Sequence, residues 1–183
     1  MNSKILLSSI LLSSVLFAEI PKAYIDMNYV LLNYSDNGTT SDFKPTGFKL
    51  AGGYILKDFN FVSFAVEGSL MLGVDNDSKS NVTLSNENTL TNAEASLDKM
   101  YNLQIKTIVP IVDNLNANVY LGGSRVKILT SANNFTGSNS WSNSVSYGTG
   151  LKYWFPSNVS LRLDYMKYFK NIEAVEIGLG FRF

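Results

Sequence analysis

Apolar and polar residues alternate with a period of two along most of this chain. The pattern is cleanest in residues 174–183, AVEIGLGFRF. There Val175, Ile177, Leu179, Phe181 and Phe183 fall on one parity, and Glu176, Gly178, Gly180 and Arg182 on the other. Successive side chains of a strand point to opposite faces, so this stretch predicts a strand with one apolar face and one polar or small face. Seven earlier segments repeat the rhythm: 23–32, 47–56, 61–72, 100–109, one starting near 116, then 144–155 and 159–168. In the fifth the alternation breaks. Arg125 and Lys127 land on the apolar parity, with Val126 and Ile128 on the other. Either a bulge at Gly122-Gly123 exchanges the faces, or the strand has left the apolar medium by Arg125.

The connections alternate too. Long polar segments, 33–45, 74–98 and 129–143, are interleaved with brief turns at 57–60, 110–114 and 156–158; a modest loop at 169–173 precedes the last strand. Strands of about 9 to 11 residues cross a bilayer when tilted. The predicted fold is therefore all-β: an eight-stranded antiparallel up-and-down transmembrane β-barrel over residues 19–183. Short turns at one end and longer loops at the other are the habit of outer-membrane barrels. An even strand count puts both termini at the turn end, predicted to be periplasmic in a bacterial outer membrane. Residues 1–18 read as a signal peptide: Lys4, then an apolar core interrupted by serines, then Ala18 as the cleavage residue.

Composition supports strands over helices in the membrane. Charged residues make up 16% of the 183, against about 25% in a typical soluble domain. No mature stretch supplies the roughly 20 apolar residues a spanning helix needs. Formal net charge is zero, and losing Lys4 with the signal leaves 15 − 1 = 14 Lys+Arg against 15 Asp+Glu. No basic cluster appears, so nucleic acid is not an expected partner. With no cysteine, disulfides and thiolate metal sites are excluded.

Charge placement decides which face meets lipid. The large apolar side chains share one parity, and the other mixes Gly, Ser and Ala with ionisable groups. Eight strands close around a bore just wide enough for side chains to fill. Small and charged residues suit that bore, so the apolar face points to lipid. By parity the lumen takes Lys49, Lys106, Lys152, Arg162 and Arg182 with Asp26, Glu67, Asp164 and Glu176. That is five cations and four anions, which must pair or be wetted. A salt-bridged plug is the favoured reading; a gated polar path is the alternative. The glycines of Gly148-Thr-Gly150 and Gly178-Leu-Gly180 lie on the lumen parity, where they make room. Outward aromatics form two expected girdles: Tyr153, Phe155, Phe181 and Phe183 at the turn end, and Tyr29, Tyr101, Tyr147 and Tyr165 at the loop end.

On these residues the chain resembles the small outer-membrane barrels of the OmpA-transmembrane-domain and OmpX type. The alternating final strand ending in Phe183, and the GTGLKYWF and LRLDYMKY stretches, carry the resemblance. It implies that Val175, Ile177, Leu179, Phe181 and Phe183 form the signal read by the barrel assembly machinery. It also implies that barrels of this kind that are enzymes use a histidine, and this chain has none. A Ser-His-Asp arrangement is thus impossible. A carboxylate dyad can still do acid-base work, and Asp26 with Glu176 sits on adjacent closing strands; partnership with lumen lysines and arginines is the favoured role.

Other motifs carry less. DNDSKSN at 75–81 lacks the glycine and the bidentate acid of a calcium loop, and reads as a solvated loop. Trp141, in a polar loop, either packs that loop or contacts something outside. Arg125 and Lys127 suit lipopolysaccharide phosphates at the outer interface, or simple snorkelling. No enzyme activity and no cofactor are expected. The expected function is structural and surface-interacting: a monomer with a filled lumen, whose loops meet outer-membrane lipid, lipopolysaccharide or an extracellular partner. A narrow porin-like channel for small solutes is the alternative. Deleting Phe183 is expected to impair assembly, seen as loss of the heat-modifiable folded band in membrane fractions; normal insertion would contradict the assembly role.

Overall fold

The computed structural model describes residues 22–35, 42–59, 61–83, 89–131 and 141–183. The segment read as a signal peptide lies outside them. Ten strands form one antiparallel sheet: β1 (Ala23–Ser35), β2 (Asp42–Phe43), β3 (Thr46–Phe59), β4 (Val62–Asp75), β5 (Asp77–Thr83), β6 (Thr89–Val112), β7 (Leu115–Ser131), β8 (Trp141–Trp154), β9 (Val159–Phe169) and β10 (Ile172–Arg182). Eight of them build the wall, each antiparallel to its neighbours. β2 and β5 are accessory, pairing with β1 and β6. The wall closes where β1 meets β10, in a register running from Tyr24 opposite Arg182 to Tyr34 opposite Ile172. Closure satisfies the backbone of both edge strands, as a hydrocarbon medium requires.

Period two governs burial throughout. In β9 the outward Leu161, Leu163 and Tyr165 alternate with the buried Ser160, Arg162, Asp164 and Met166. The outer surface carries a belt of exposed Met27, Leu50, Leu103, Leu121, Leu151 and Ile177 with their neighbours. Aromatic residues flank it. Tyr153 meets Phe155 edge-on at 5.1 Å and Phe181 stacks on Phe183 at 6.3 Å near the turns. Tyr29, Tyr101, Tyr147 and Tyr165 are exposed toward the loops.

The strands run further than the alternation of apolar residues predicts. Much of the expected 74–98 loop is a hairpin of β5 and β6, and β6 is 24 residues long. The DNDSKSN motif accordingly lies largely on β5 rather than in a loop, with Asp77 Oδ2 accepting the Lys44 N–H at 2.8 Å. Beyond the membrane a strand needs no apolar face, so its polar extension leaves no hydropathy mark. At Gly122-Gly123 there is no bulge. The β6–β7 register runs unbroken from Lys99 opposite Lys127 to Pro110 opposite Asn116, and the β7–β8 register is also continuous there. Arg125 therefore stays on the outer face and Val126 on the inner. The irregularity sits instead between Leu97 and Lys99 on β6.

The tight turn 156–158 needs a left-handed residue, and Asn158 supplies it at φ 61°. Inward glycines are close-approach sites. A Cβ on Gly150 would strike the Asp164 carboxylate and the Leu163 carbonyl, and one on Gly178 would strike Asn28 and the Met27 carbonyl. Gly123, facing outward, has open space. Gly178→Val is expected to destabilise the refolded barrel by about 1–3 kcal/mol. Gly123→Ala should be neutral or stabilising by about 0.5–1 kcal/mol. Urea midpoints in detergent check both.

Candidate functional site: the filled lumen

Inward positions of the eight wall strands converge on a bore with two layers of different chemistry. The layer nearer the turns is charged and centres on Arg162 of β9, wholly buried. Its Nη1 reaches Asp26 Oδ2 at 2.7 Å and Glu67 Oε2 at 3.2 Å, its Nη2 reaches Glu67 Oε1 at 3.2 Å, and its Nε donates to Asp164. One planar fork thus ties β9 to β1 and β4 across the bore, the geometry a guanidinium supplies and an ammonium does not.

Two lysines complete the layer. Lys152 Nζ pairs with Asp26 Oδ1 at 2.6 Å, and Lys106 Nζ with Glu67 Oε2 at 3.5 Å. Glu67 also accepts the Tyr24 hydroxyl and the Gln104 amide, each at 3.0 Å, and Asp164 accepts the Tyr120 hydroxyl at 3.0 Å. The Tyr24 ring, laid over Gly53, has the Lys106 ammonium at 4.7 Å and the Lys152 ammonium at 4.6 Å from its centroid. A separate pair sits elsewhere in the bore: Lys49 bonds Glu176, with the Tyr168 hydroxyl bridging them. Among the described residues the fully buried charges are four cations and four anions. Desolvating each ion costs several kcal/mol, which only close pairing with further hydrogen bonds offsets.

Toward the loops the bore turns apolar. Val30, Met71, Met100, Val126 and Met166 are buried together with the Tyr168 ring, and Leu97, Phe169 and Ile172 extend the cluster. A lumen of small and charged residues is thus only half of what the structure holds. Met71, Met100 and Val126 share the inward parity, and their apolar character hides that from a hydropathy reading. Alternation also puts Gln104 inward, beside Lys106, and the structure has it there; the buried hydroxyls of Tyr24, Tyr120 and Tyr168 go unflagged, although each lies an even number of positions from an inward charge or amide.

Eight of the nine predicted lumen residues are buried inside the barrel. The ninth, Arg182, lies at the turn-end mouth, where its Nε donates to Asn158 Oδ1 at 3.1 Å and its guanidinium lies 4.6 Å from the Trp154 ring. Asp26 and Glu176 do not form a carboxylate pair. Asp26 stands opposite Gly180 and Glu176 opposite Val30, and different cations hold them. Val175, Ile177, Leu179 and Phe181 line the outer face of β10. Trp141 opens β8 instead of lying in a loop. It stacks on Tyr101 at 5.8 Å, and Arg125 lies 4.9 Å from its ring. Lys127 pairs with Asp98 at 3.0 Å.

A closed eight-stranded barrel, greasy outside and ion-paired within, defines a transmembrane barrel of the outer-membrane class. The family model described as outer membrane protein beta-barrel domain matches residues 5–183, and the chain belongs to that family. No curated protein matches it significantly. Among solved structures it is similar to Ail, the attachment invasion locus protein of Yersinia pestis, with a TM-score of 0.60 at 19% identity, covering 90% of this chain and 100% of that one. It is also similar to OprG from Pseudomonas aeruginosa, with a TM-score of 0.56 at 12% identity over 89% and 96% of the two chains. These likenesses establish the fold.

The Lys49–Glu176 pair gives a test of the lumen energetics. Lys49→Met leaves a buried carboxylate with no cation and should cost about 3–5 kcal/mol. Adding Glu176→Gln should recover most of that loss, as read from urea midpoints of the refolded barrel.

Proposed function

We propose that this chain is a structural and surface-interaction protein of the bacterial outer membrane, its barrel a plugged platform rather than a conduit or an enzyme. The observation that carries this is the double obstruction of the bore. The Arg162 layer joins opposite walls, and the Met71, Met100, Val126 and Met166 layer fills the space toward the loops. A solute would have to part both. The turn end and termini face the periplasm, and the loop end faces outward.

The loop end supplies the interaction surface. The β5–β6 hairpin extends the wall there, and Trp141, Tyr101 and Arg125 form an aromatic–cation stack on its flank. On this reading Arg125 and Lys127 meet lipopolysaccharide phosphates and Trp141 touches an outside partner; their outward position at the loop end of β7 and β8 supports it. Ail, whose name speaks of attachment, has also been solved in complex with the heparin analogue sucrose octasulfate. The non-enzymatic reading is supported by the separate pairing of Asp26 and Glu176 with cations. A monomer and recognition of β10 by the assembly machinery complete the proposal.

A narrow channel has one observation in its favour. Side-chain atoms of the buried Asn28, Ser146 and Ser160 have no hydrogen-bond partner among the described residues, and water in the bore would satisfy them. The apolar layer weighs against a continuous file of such water.

Planar-bilayer recordings of the refolded protein separate the two. The plug predicts no discrete openings. Openings altered by Glu67→Gln or Arg162→Gln would overturn it.

A further inference from the structure

We propose that the turn-end vestibule of the barrel binds a small oxyanion, a phosphate or carboxylate head group, on Lys106, Lys152 and Asn118, with Arg182 at the rim. The vestibule has a volume of about 610 Å³ and sits below the Arg162 layer, which closes its inner end. Lys106, Lys152, Asn118, Trp154 and Arg182 all line it.

Asn118 points to a ligand. It is completely buried, it lines the cavity, and neither its Nδ2 nor its Oδ1 has a partner among the described residues. A buried amide left unmatched is costly, so its partner must come from the cavity. The two lysines supply the charge. An ammonium has three donors. Among the described residues each lysine reaches a single carboxylate oxygen, Lys152 that of Asp26 at 2.6 Å and Lys106 that of Glu67 at the longer 3.5 Å. The Tyr24, Tyr120 and Trp154 rings also approach these ammonium groups, and an anion in the cavity both lysines line would add the oxygen acceptors that the rings do not supply. Asp26 and Glu67 are themselves engaged by Arg162, so the negative charge lies behind the lysines and is already shared.

The wall carries two other acids, Asp58 and Asp113, against the three cations. Asp58 already accepts the Ser63 hydroxyl. Two ammonium groups and an amide NH₂ form a donor-rich set that an oxyanion with several acceptors satisfies and a cation does not. The volume far exceeds one head group, leaving room for an organic body beside the Trp154 ring. Binding in this cup stands whether or not the bore above it conducts.

The chain reports on its own site. It has two tryptophans, and Trp154 lies 4.5 Å from the Lys152 ammonium. Trp141→Phe leaves Trp154 as the sole tryptophan, excited selectively over the tyrosines. The refolded Trp141→Phe barrel in detergent is titrated with inorganic phosphate, and separately with acetate, at ionic strength held constant with chloride. The expected result is a saturable change in Trp154 emission. Phosphate alone giving it assigns a phosphate head; acetate giving it as well admits carboxylates. Asn118→Leu should weaken binding about tenfold or more while keeping the heat-modifiable folded band, and Lys152→Met should weaken it further. No saturable response to either anion would overturn the proposal. So would folded Asn118→Leu protein that titrates like its parent, showing an adventitious ion only.

Discussion

Everything in this molecule depends on closing the sheet. Hydrocarbon offers a strand edge nothing to bond, so β1 and β10 must find each other. Eight strands closed this way leave a bore that side chains can fill. Once the wall is shut, each inward residue must be accommodated within that bore. Charges placed there have no retreat to bulk water, which makes mutual pairing the condition for folding and gives Arg162 its position. Its three carboxylate partners lie on β1, β4 and β9 itself, and the strands that hold them are fixed relative to one another by a single side chain.

The two lumen layers divide the work by chemistry. The charged layer is directional. It ties β9 to β1 and β4, and its Lys106 and Lys152 line the vestibule beneath. The apolar layer is adaptable, built around Met71, Met100 and Met166, whose flexible side chains fill irregular space. Above it the wall continues as polar strands, carrying the loop end clear of the belt of exposed aliphatic residues. The stack of Trp141, Tyr101 and Arg125 lies at the loop end of this filled barrel and the vestibule lined by Asn118 at the turn end, and its proposed interaction chemistry lies at those two ends.

Much of this was legible from period two alone. Parity in residues 174–183 makes a strand with Glu176 turned inward, and the same rule puts Asp26, Lys49 and Arg162 inside the barrel where the structure has them. Two kinds of feature escape that rule. Strands outside lipid, such as β5 and the first part of β6, have no apolar face to betray them, and their Ser, Thr and Asn content reads as loop. Inward apolar residues, Met100 and Val126 among them, look like lipid-facing ones once the alternation is read by hydropathy and not by register. The break at Arg125 shows the same ambiguity: the register is unbroken, and charged residues simply take the outward positions there. Which carboxylate Arg162 would choose was not readable either, since pairing across a bore depends on stagger and tilt.

On the plug reading, Arg162 is locked in a water-excluded ion-pair layer that seals the bore. The exchange rate of its Nε–H with solvent, followed by NMR on the barrel in lipid nanodiscs, tests this most directly. A sealed layer gives a resolved Nε–H resonance protected from exchange far beyond that of a solvated arginine, with cross-peaks to groups around Asp164. An Nε–H that exchanges as fast as a free guanidinium in the folded barrel would mean that water passes the layer, and the sealed lumen would be wrong.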